Sequence, residues 1–417
     1  MKNVPVISVL LLIAQLASSQ TAVGDWVFSD ISTTAGGLFS LNPSTGAVSP
    51  IAYGRPTGFF NGVVMAHNNA DSAALYAGGL FHLVHISPTG FLSTVSSIGS
   101  GQSPNGIDVD QDGSYLCSTS WDNGVYRVGP APDSNTLLFT IPAILGTLNT
   151  LAIDQDTGHI LVGVYNSSTA DPTAGQVLRA DRNSYALSTL AIGLRTISAV
   201  GHDTKTGNIV VTTHDPPHVR LIRPSGSVST LVNDFGRRAN GVKLMRETGD
   251  IMVAGENRIG TFMPNGEGLV THTLPTKPIP YSITGIEEHA SRKVSGSGRP
   301  SAGNRYNVQF SFPRSPGLQY AAALSMSPRP GIVLTDGTRR SIDLAPDLIF
   351  FLSVTGQLSP ILTGFSGTLN ADGRANGTVD ILLGFPAGIR FYVSAVALNP
   401  TMPSGMETAN AWGFTTE

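Results

Sequence analysis

The sequence predicts an all-β protein, a six-bladed β-propeller followed by a β-sandwich. Three observations predict it: few charges with many glycines and prolines, a motif that returns every 44 residues, and short alternating runs separated by turn residues. Only 13% of the 417 residues are charged, and the chain contains 47 glycines and 27 prolines. An average globular protein has about 25% charged residues. The composition is therefore typical of short strands joined by many turns.

Composition also excludes several classes of protein. A hydrophobic fraction of 41% is enough for a folded core, which excludes general disorder. The net charge of −3 shows no basic excess, so we expect no nucleic-acid partner. Cys117 is the only cysteine, so the chain cannot form an internal disulfide.

Residues 1–19 have the pattern of a secretory signal peptide. Lys2 is followed by an apolar run over residues 4–16 and then by small residues up to Ser19. We therefore expect a secreted, periplasmic or cell-surface protein. No later segment approaches ~20 apolar residues, so no transmembrane segment is expected in the mature chain.

The repeat begins each copy at an Asn or Thr. Asn105-Gly106-Ile107-Asp108-Val109-Asp110 returns 44 positions later, from Asn149 to Asp154. One interval is 47 residues, which we attribute to a longer loop over residues 166–175. The six predicted strand starts are Asn61, Asn105, Asn149, Thr196, Asn240 and Thr284.

Each copy contains four alternating runs with Gly, Asp or Pro between them. Four strands in about 44 residues are typical of one propeller blade. The last copy stops after residues 284–289, and residues 25–30, 37–41 and 47–51 supply three further runs. We therefore predict a propeller over residues 25–289, closed by N- and C-terminal strands in one blade.

The period ends after the propeller. Residues 290–303 are rich in Gly, Ser and Pro and predict a flexible linker. Residues 304–417 contain strand-like runs and predict a β-sandwich domain. The runs lie at 306–312, 320–326, 348–354, 378–382 and 391–398.

The repeat resembles those of the SMP-30/gluconolactonase and NHL-type propellers. The likeness is carried by Asn105-Gly106-Ile107, Gly113, Tyr115-Leu116 and Val125-Tyr126-Arg127, and it covers residues 25–289. It implies a metal at the channel mouth, held by carboxylate and Asn side chains, that polarises a lactone carbonyl while a carboxylate activates water.

This sequence departs from that pattern in one respect. Asn105 and Asn149 match the family's strand starts, but no strand start is Asp or Glu. Only Glu256, Asp215 or Asp30, from loops around the mouth, would supply the carboxylate.

The C-terminal part resembles a module attached to exported proteins of planctomycetes and related bacteria. The matching segments are residues 316–320, 330–332, 347–348 and 365–373. The resemblance implies no activity, and we expect a surface-attachment or accessory role.

We expect a binding site where the strand starts meet at the channel mouth. The candidate ligand-binding residues are Asn61, Asn105, Asn149, Thr196, Asn240, Thr284, Trp121 and Tyr165. The candidate catalytic residues are His214, Asp215 and Glu256. The candidate ligands for Ca²⁺ or another divalent cation are Asn105, Asn149, Asn240 and Glu256.

Structural interpretations of the same residues stay open at this point. Asn before Gly is a common turn pair, so the repeated Asn is also explained by turn chemistry. His214 and His218 are explained by a solvated loop around Pro216-Pro217, and Trp121 by surface packing.

Two functions follow. The first is an exported, non-catalytic protein that binds a small polar ligand, a glycan or a surface protein at the mouth. The alternative is a metal-dependent hydrolase of the sugar-lactone lactonase kind, or a polysaccharide lyase, using the same mouth.

Overall fold

The computed structural model describes residues 22, 24–32, 36–53, 59–65, 72–78, 80–87, 91–99, 104–129, 135–165, 175–236, 238–275, 282–289 and 293–417. The predicted signal peptide, most of the predicted loop 166–175 and the start of the predicted linker lie outside these residues. The described part of the chain contains no helix with the length and apolar character needed for a transmembrane span.

Strands β1–β24 form six antiparallel sheets of four strands within the described residues. The first sheet has the order β24-β1-β2-β3 and contains β1 (Trp26–Asp30), β2 (Gly37–Leu41), β3 (Val48–Tyr53) and β24 (Ile283–Glu288). The second contains β4 (Phe59–Met65), β5 (Ser72–Gly78), β6 (Leu80–Ile86) and β7 (Leu92–Gly99). The third contains β8 (Pro104–Val109), β9 (Tyr115–Thr119), β10 (Gly124–Val128) and β11 (Asn135–Thr140).

The remaining three sheets follow the same order. A short 3-10 helix (Ala143–Leu145) precedes the fourth, which contains β12 (Thr147–Ile153), β13 (Ile160–Tyr165), β14 (Gln176–Ala180) and β15 (Leu187–Ala191). The fifth contains β16 (Ile197–His202), β17 (Ile209–Thr213), β18 (Val219–Ile222) and β19 (Val228–Val232). The sixth contains β20 (Ala239–Leu244), β21 (Ile251–Gly255), β22 (Arg258–Phe262) and β23 (Val270–Thr273).

The sheets surround a common axis as a β-propeller, as predicted. The inner strands β4, β8, β12, β16, β20 and β24 each contact the next, and β24 contacts β4, so they form a closed ring. The second strands are largely buried, whereas outer strands such as β11, β15 and β23 are largely exposed. β24 pairs with β1, which confirms closure by the two ends of the propeller segment.

Glycines allow the inner strands to approach one another. A Cβ atom at Gly106 of β8 would lie 2.5 Å from the backbone nitrogen of Leu151 in β12. A Cβ atom at Gly285 of β24 would lie 2.6 Å from the nitrogen of Val63 in β4. Only a residue without a side chain fits at these two positions, because both contacts are with backbone.

The C-terminal segment forms two larger sheets that share one core, as the predicted sandwich requires. One has the order β25-β26-β32-β30 and contains β25 (Val294–Ser297), β26 (Arg305–Ser311), β32 (Arg374–Asp380) and β30 (Leu362–Thr363). The other contains β31 (Ser366–Thr368), β27 (Gln319–Ser325), β33 (Arg390–Leu398), β34 (Met406–Thr408) and β35 (Trp412–Thr415). A small hairpin pairs β28 (Ile332–Val333) with β29 (Ser341–Ile342). Phe310, Tyr320 and Val393 lie in the shared core.

Two sequence-based expectations for this segment are wrong. Residues 294–297, within the predicted linker, form β25. The small residues of this segment favour a flexible linker, but pairing with β26 makes it a strand. The run at residues 348–354 is a helix, α1 (Leu348–Val354), rather than a strand. The Asp347 side chain caps α1 by accepting a hydrogen bond from the backbone nitrogen of Phe350 at 2.8 Å.

The C-terminal segment is attached to the propeller end opposite the strand starts. The turns that follow the inner strands must lie at that end, because all six inner strands run in one direction. Tyr306 donates a hydrogen bond to the carbonyl of Gln111 at 2.5 Å, and Arg390 donates to the carbonyl of Gln155 at 2.6 Å. Lys205 pairs with Asp343 at 2.7 Å. Three successive turns are therefore fixed to the second domain.

A buried carboxylate lies close to this contact surface. Oε2 of Glu288 is buried and has no hydrogen-bond partner within the described part of the chain. Burial raises the pKa of Glu288 from its ordinary 4.5 to about 7, and the nearby charge of Glu247 adds to the rise, while Lys293 and Arg314 oppose it.

Glu288→Gln should change how stability depends on pH. Between about pH 4.5 and 7 the folded wild type retains a proton that the unfolded chain releases, so its Glu288 contribution to stability is lost as pH rises. The variant cannot ionise there, so its free energy of unfolding relative to wild type should increase over that range. Urea unfolding at pH 4.5–8 measures this difference. The exposed Glu267→Gln serves as the control, and a pH-independent difference for Glu288→Gln would contradict the expectation.

Gly106→Ala should destabilise the propeller more than Gly241→Ala does. The two glycines occupy equivalent positions, but a Cβ at Gly241 would lie 3.2 Å from its nearest backbone atom, the carbonyl oxygen of Thr284. Overpacking of this kind costs about 1–3 kcal/mol, and we expect the Gly106 variant to lose at least that much unfolding free energy. Chemical denaturation compares the two, and equal losses would argue against backbone approach as the cause.

Candidate functional site

A cavity of about 280 Å³ lies where the inner strands begin, and we call it the mouth cavity. All six predicted strand starts line it, so the structure brings these residues together, while their role in binding stays a prediction. The residues around it are Ile31, Asn61, Asn105, Asn149, Tyr165, Thr196, Ser198, His214, Arg238, Asn240, Ser282 and Thr284.

A β-bulge at the start of each inner strand places one extra residue at the mouth. The pairing of β8 with β9 moves from Pro104 to Gly106, so Asn105 is the extra residue of that strand. The same shift passes over one residue in each of the other five inner strands. Bulges bend a strand and re-aim a side chain, and they are frequent next to functional sites.

The bulges correct one position of the repeat. In the fifth sheet the pairing moves from Ile197 to Ala199, so the bulged residue is Ser198 rather than Thr196. Matching by residue type selects Thr196, because the equivalent residue of the last copy is Thr284. The equivalent position in the strand is two residues later, at Ser198. Both side chains line the mouth cavity. The burial pattern would have favoured Ser198, because it is half-buried between two buried neighbours, as are Asn61, Asn149, Asn240 and Thr284.

The turn interpretation of the repeated Asn-Gly pairs is wrong. Asn61, Asn105 and Asn240 lie within β4, β8 and β20, and not in turns. Each Asn occupies the bulge, and Gly106 and Gly241, which follow two of them, face the neighbouring inner strand. The motif therefore serves strand packing and cavity lining together.

Several lining side chains are held by hydrogen bonds. Asn61 donates from Nδ2 to Oδ1 of Asn105 at 3.0 Å, which links two sheets across the mouth. Asn149 donates from Nδ2 to the carbonyl of Ile197 at 2.7 Å. These contacts orient the amide groups before any ligand arrives.

Arg238 and His214 control the charge of the mouth cavity. Arg238 is exposed, and it is the only residue in the described lining with a formal charge when His214 is neutral. Burial lowers the pKa of His214, and the charge of Arg238 lowers it further, although Asp215 and Glu256 act in the opposite direction. His214 is therefore neutral at pH 7, and the net charge of the described lining is positive.

None of the predicted carboxylates lines the mouth cavity. Asp30 is completely buried, and it accepts hydrogen bonds from the backbone nitrogens of Ser32 and Ser282 at 3.0 and 2.9 Å. Glu256 forms a β-bridge with Ser282 and lies outside the described lining. Asp215 is exposed in a loop that begins with a cis peptide bond to Pro216. The predicted carboxylate of Asp30 thus serves the scaffold, while those of Asp215 and Glu256 lie outside the lining but close enough to act on His214.

The two predicted aromatic residues differ in position. Tyr165 ends β13 and lines the mouth cavity. Trp121 is 80% exposed in the loop between β9 and β10, and it is not part of the lining.

The donor set of the mouth cavity does not fit the divalent cation that the resemblance implies. Calcium sites combine several oxygen ligands with carboxylate charge. The described lining offers amide and hydroxyl oxygens, no carboxylate, and the cation of Arg238. These groups match a neutral or anionic ligand rather than a metal ion.

A group with metal-ligand spacing lies at the opposite end of the propeller. Ligand atoms of Asp154, Asp156 and His202 lie within 4.8 Å of one another. His202 accepts a hydrogen bond at Nδ1 from the backbone nitrogen of Gln155 at 3.3 Å, so Nε2 carries the proton and faces Asp154 at 3.3 Å.

Two arginines already compensate the charge of this group. Arg179 pairs with Asp154 at 3.1 Å, and Arg329 of the second domain pairs with Asp156. Burial acts to raise the pKa of Asp156, but His202 and Arg329 lower it, and the net shift is downward. The group is a candidate by its donor types, and its ion pairs give it a structural role in domain attachment.

Comparison with known proteins gives the fold alone. No protein-family model matches the chain, and no curated protein matches it. A chain from the crystal structure of a nidogen/laminin complex is similar over 63% of this chain and 97% of its own length, with a TM-score of 0.51 and 13% identity. A calcium-binding protein, regucalcin, from Agrobacterium tumefaciens is similar over 60% of this chain and 81% of its own, with a TM-score of 0.44 and 13% identity. A gluconolactonase from Xanthomonas campestris is similar over 60% and 82%, with a TM-score of 0.43 and 13% identity. The likeness to the nidogen/laminin chain supports the propeller fold of the first domain.

Proposed function

We propose that this protein binds one small, hydroxyl-rich molecule in the mouth cavity and does not change it chemically. The observation that carries the proposal is the ring of six bulged residues, which present neutral amide and hydroxyl groups to one cavity. A ligand of the monosaccharide class fits this chemistry, because an Asn amide both donates and accepts hydrogen bonds and pairs well with hydroxyl groups.

Size and rigidity support binding of a single small molecule. Ligand pockets usually measure about 300–1,000 Å³, so a cavity of about 280 Å³ suits a ligand at the small end of that range. Below the bulges the six inner strands surround a narrow space of about 40 Å³, which stops the ligand from moving down the axis. The side chains sit on strands rather than on long loops, so they lose little freedom when a ligand binds.

The described lining lacks the carboxyl groups that glycosidic or metal-dependent hydrolysis uses. Glycosidic hydrolysis needs a pair of carboxyl groups, and lactone hydrolysis needs a general base within about 3 Å of the attacking water. His214 is the only titratable base in the described lining besides Tyr165. The binding function therefore accounts for the site better than the metal-dependent alternative.

The proposal places the protein outside the cytoplasm, on the basis of the sequence pattern at residues 1–19. The second domain would then serve attachment or support, in line with its many contacts to the propeller turns. Both statements are proposals that accompany the binding function.

Titration calorimetry with a panel of hexoses and hexose derivatives tests the proposal. We expect Thr284→Val to weaken binding about five- to ten-fold, because losing one ligand hydrogen bond costs about 1 kcal/mol. The Thr284 hydroxyl also contacts that of Ser29 at 3.2 Å, so the free energy of unfolding is measured for the same variant. Thr189→Val in β15 is the matched control, since Thr189 is exposed on an outer strand.

The chemistry is tested with the same samples. Every ligand that binds should be recovered unchanged after prolonged incubation, and added EDTA should leave both affinity and melting temperature unaltered. Product formation, or a melting temperature that falls with the chelator, would favour the metal-dependent hydrolase instead.

A further inference from the structure

We infer that the ligand of the mouth cavity carries a carboxylate on a hydroxylated scaffold, as a uronic acid does, and that Arg238 selects for this charge. The inference rests on the proposed binding function and goes beyond it by naming the class of ligand. It starts from the net charge of the described lining, which is positive, whereas a cation site requires negative charge.

Arg238 has no ion-pair partner within the described residues. Eight other described arginines are paired with a carboxylate; these are Arg127, Arg179, Arg182, Arg246, Arg305, Arg329, Arg339 and Arg340. Arg238 instead lines the mouth cavity next to neutral amides and hydroxyls. A guanidinium group presents a planar fork of donors that matches a carboxylate in a bidentate pair.

The backbone holds Arg238 at the mouth. Its φ angle is +51°, in the left-handed region that residues other than Gly adopt only where the surrounding structure holds them there. The next residue, Ala239, is completely buried at the start of β20, and Asn240 is the bulged residue of that strand. Arg238 is thus fixed two positions from a residue that lines the same cavity.

No described carboxylate competes for the guanidinium inside the cavity. The carboxylate of Asp30 is used by Ser32 and Ser282, and Glu256 and Asp215 lie outside the lining. An incoming carboxylate would therefore meet an unpaired cation in a partly enclosed space, where charge interactions are stronger than in bulk water.

His214 adds a dependence on pH. The charged groups that act on it are Arg238, which disfavours its protonation, and Asp215 and Glu256, which favour it. When His214 is protonated at acidic pH, the cavity gains a second positive charge. The affinity for an anionic ligand should then rise as pH falls below 6.5, the ordinary pKa of the imidazole, whereas the affinity for a neutral sugar should not.

Calorimetry with D-glucuronate, D-glucose and D-glucosamine tests the inference, because these probes share a ring and differ in charge. At pH 7.5 the wild type should bind D-glucuronate at least ten-fold more tightly than D-glucose, and D-glucosamine most weakly. A ten-fold ratio corresponds to about 1.4 kcal/mol, which is close to the net contribution of one hydrogen bond to a charged group.

Four variants test the roles of Arg238 and His214. Arg238→Gln should reduce the ratio of D-glucuronate to D-glucose affinity to below about two-fold. Arg238→Lys should retain part of the preference because it keeps the charge and loses the planar fork. Arg223→Gln is the control, because Arg223 is exposed in the β18–β19 turn. His214→Gln should abolish the increase in D-glucuronate affinity at acidic pH.

The outcomes separate this inference from the proposed function. Equal affinity for D-glucuronate and D-glucose, unchanged in Arg238→Gln, overturns the charge preference and leaves the binding function intact. Failure of all three sugars to bind a correctly folded protein overturns both. A preference for D-glucosamine over D-glucuronate reverses the assigned charge and rejects the inference directly.

Discussion

The close packing of six inner strands around one axis is the constraint on which the rest of the structure depends. Gly106 and Gly285 meet this constraint because they have no Cβ atom, so the backbone of the neighbouring inner strand can lie directly against them. The residue before each of these glycines, Asn105 or Thr284, lies in a β-bulge that takes it out of the strand pairing and places its side chain at the mouth. The same two-residue unit therefore closes the ring and lines the cavity.

The sequence predicted the propeller because its signal is local and repeated. Spacing alone located Asn61, Asn105, Asn149, Asn240 and Thr284, since each lies at the same register of its strand. Ser198 was missed because the copies were aligned by residue type, which selects Thr196, whereas strand register selects the residue two positions later. The paired ends of the propeller were predictable because the last copy lacked its outer strands.

The errors arose where long-range contacts decide the conformation. Small residues such as Gly296 favour a linker locally, yet β25 is fixed by β26 and by buried side chains around it. The apolar run of α1 fits a strand or a helix by pattern, and only the capping Asp347 indicated the helix. Arg238 was missed because it belongs to no repeat, and its importance depends on which carboxylates turn away from the cavity.

The pairing of β1 with β24 has a consequence for the order of synthesis. The side chain of Asp30 and the backbone of Ser282 are joined by a hydrogen bond although they lie 252 positions apart. A growing chain must therefore carry its first three strands with an open inner edge until most of the propeller has been made. Exposed strand edges invite wrong partners, so we expect this chain to need protection by chaperones during synthesis.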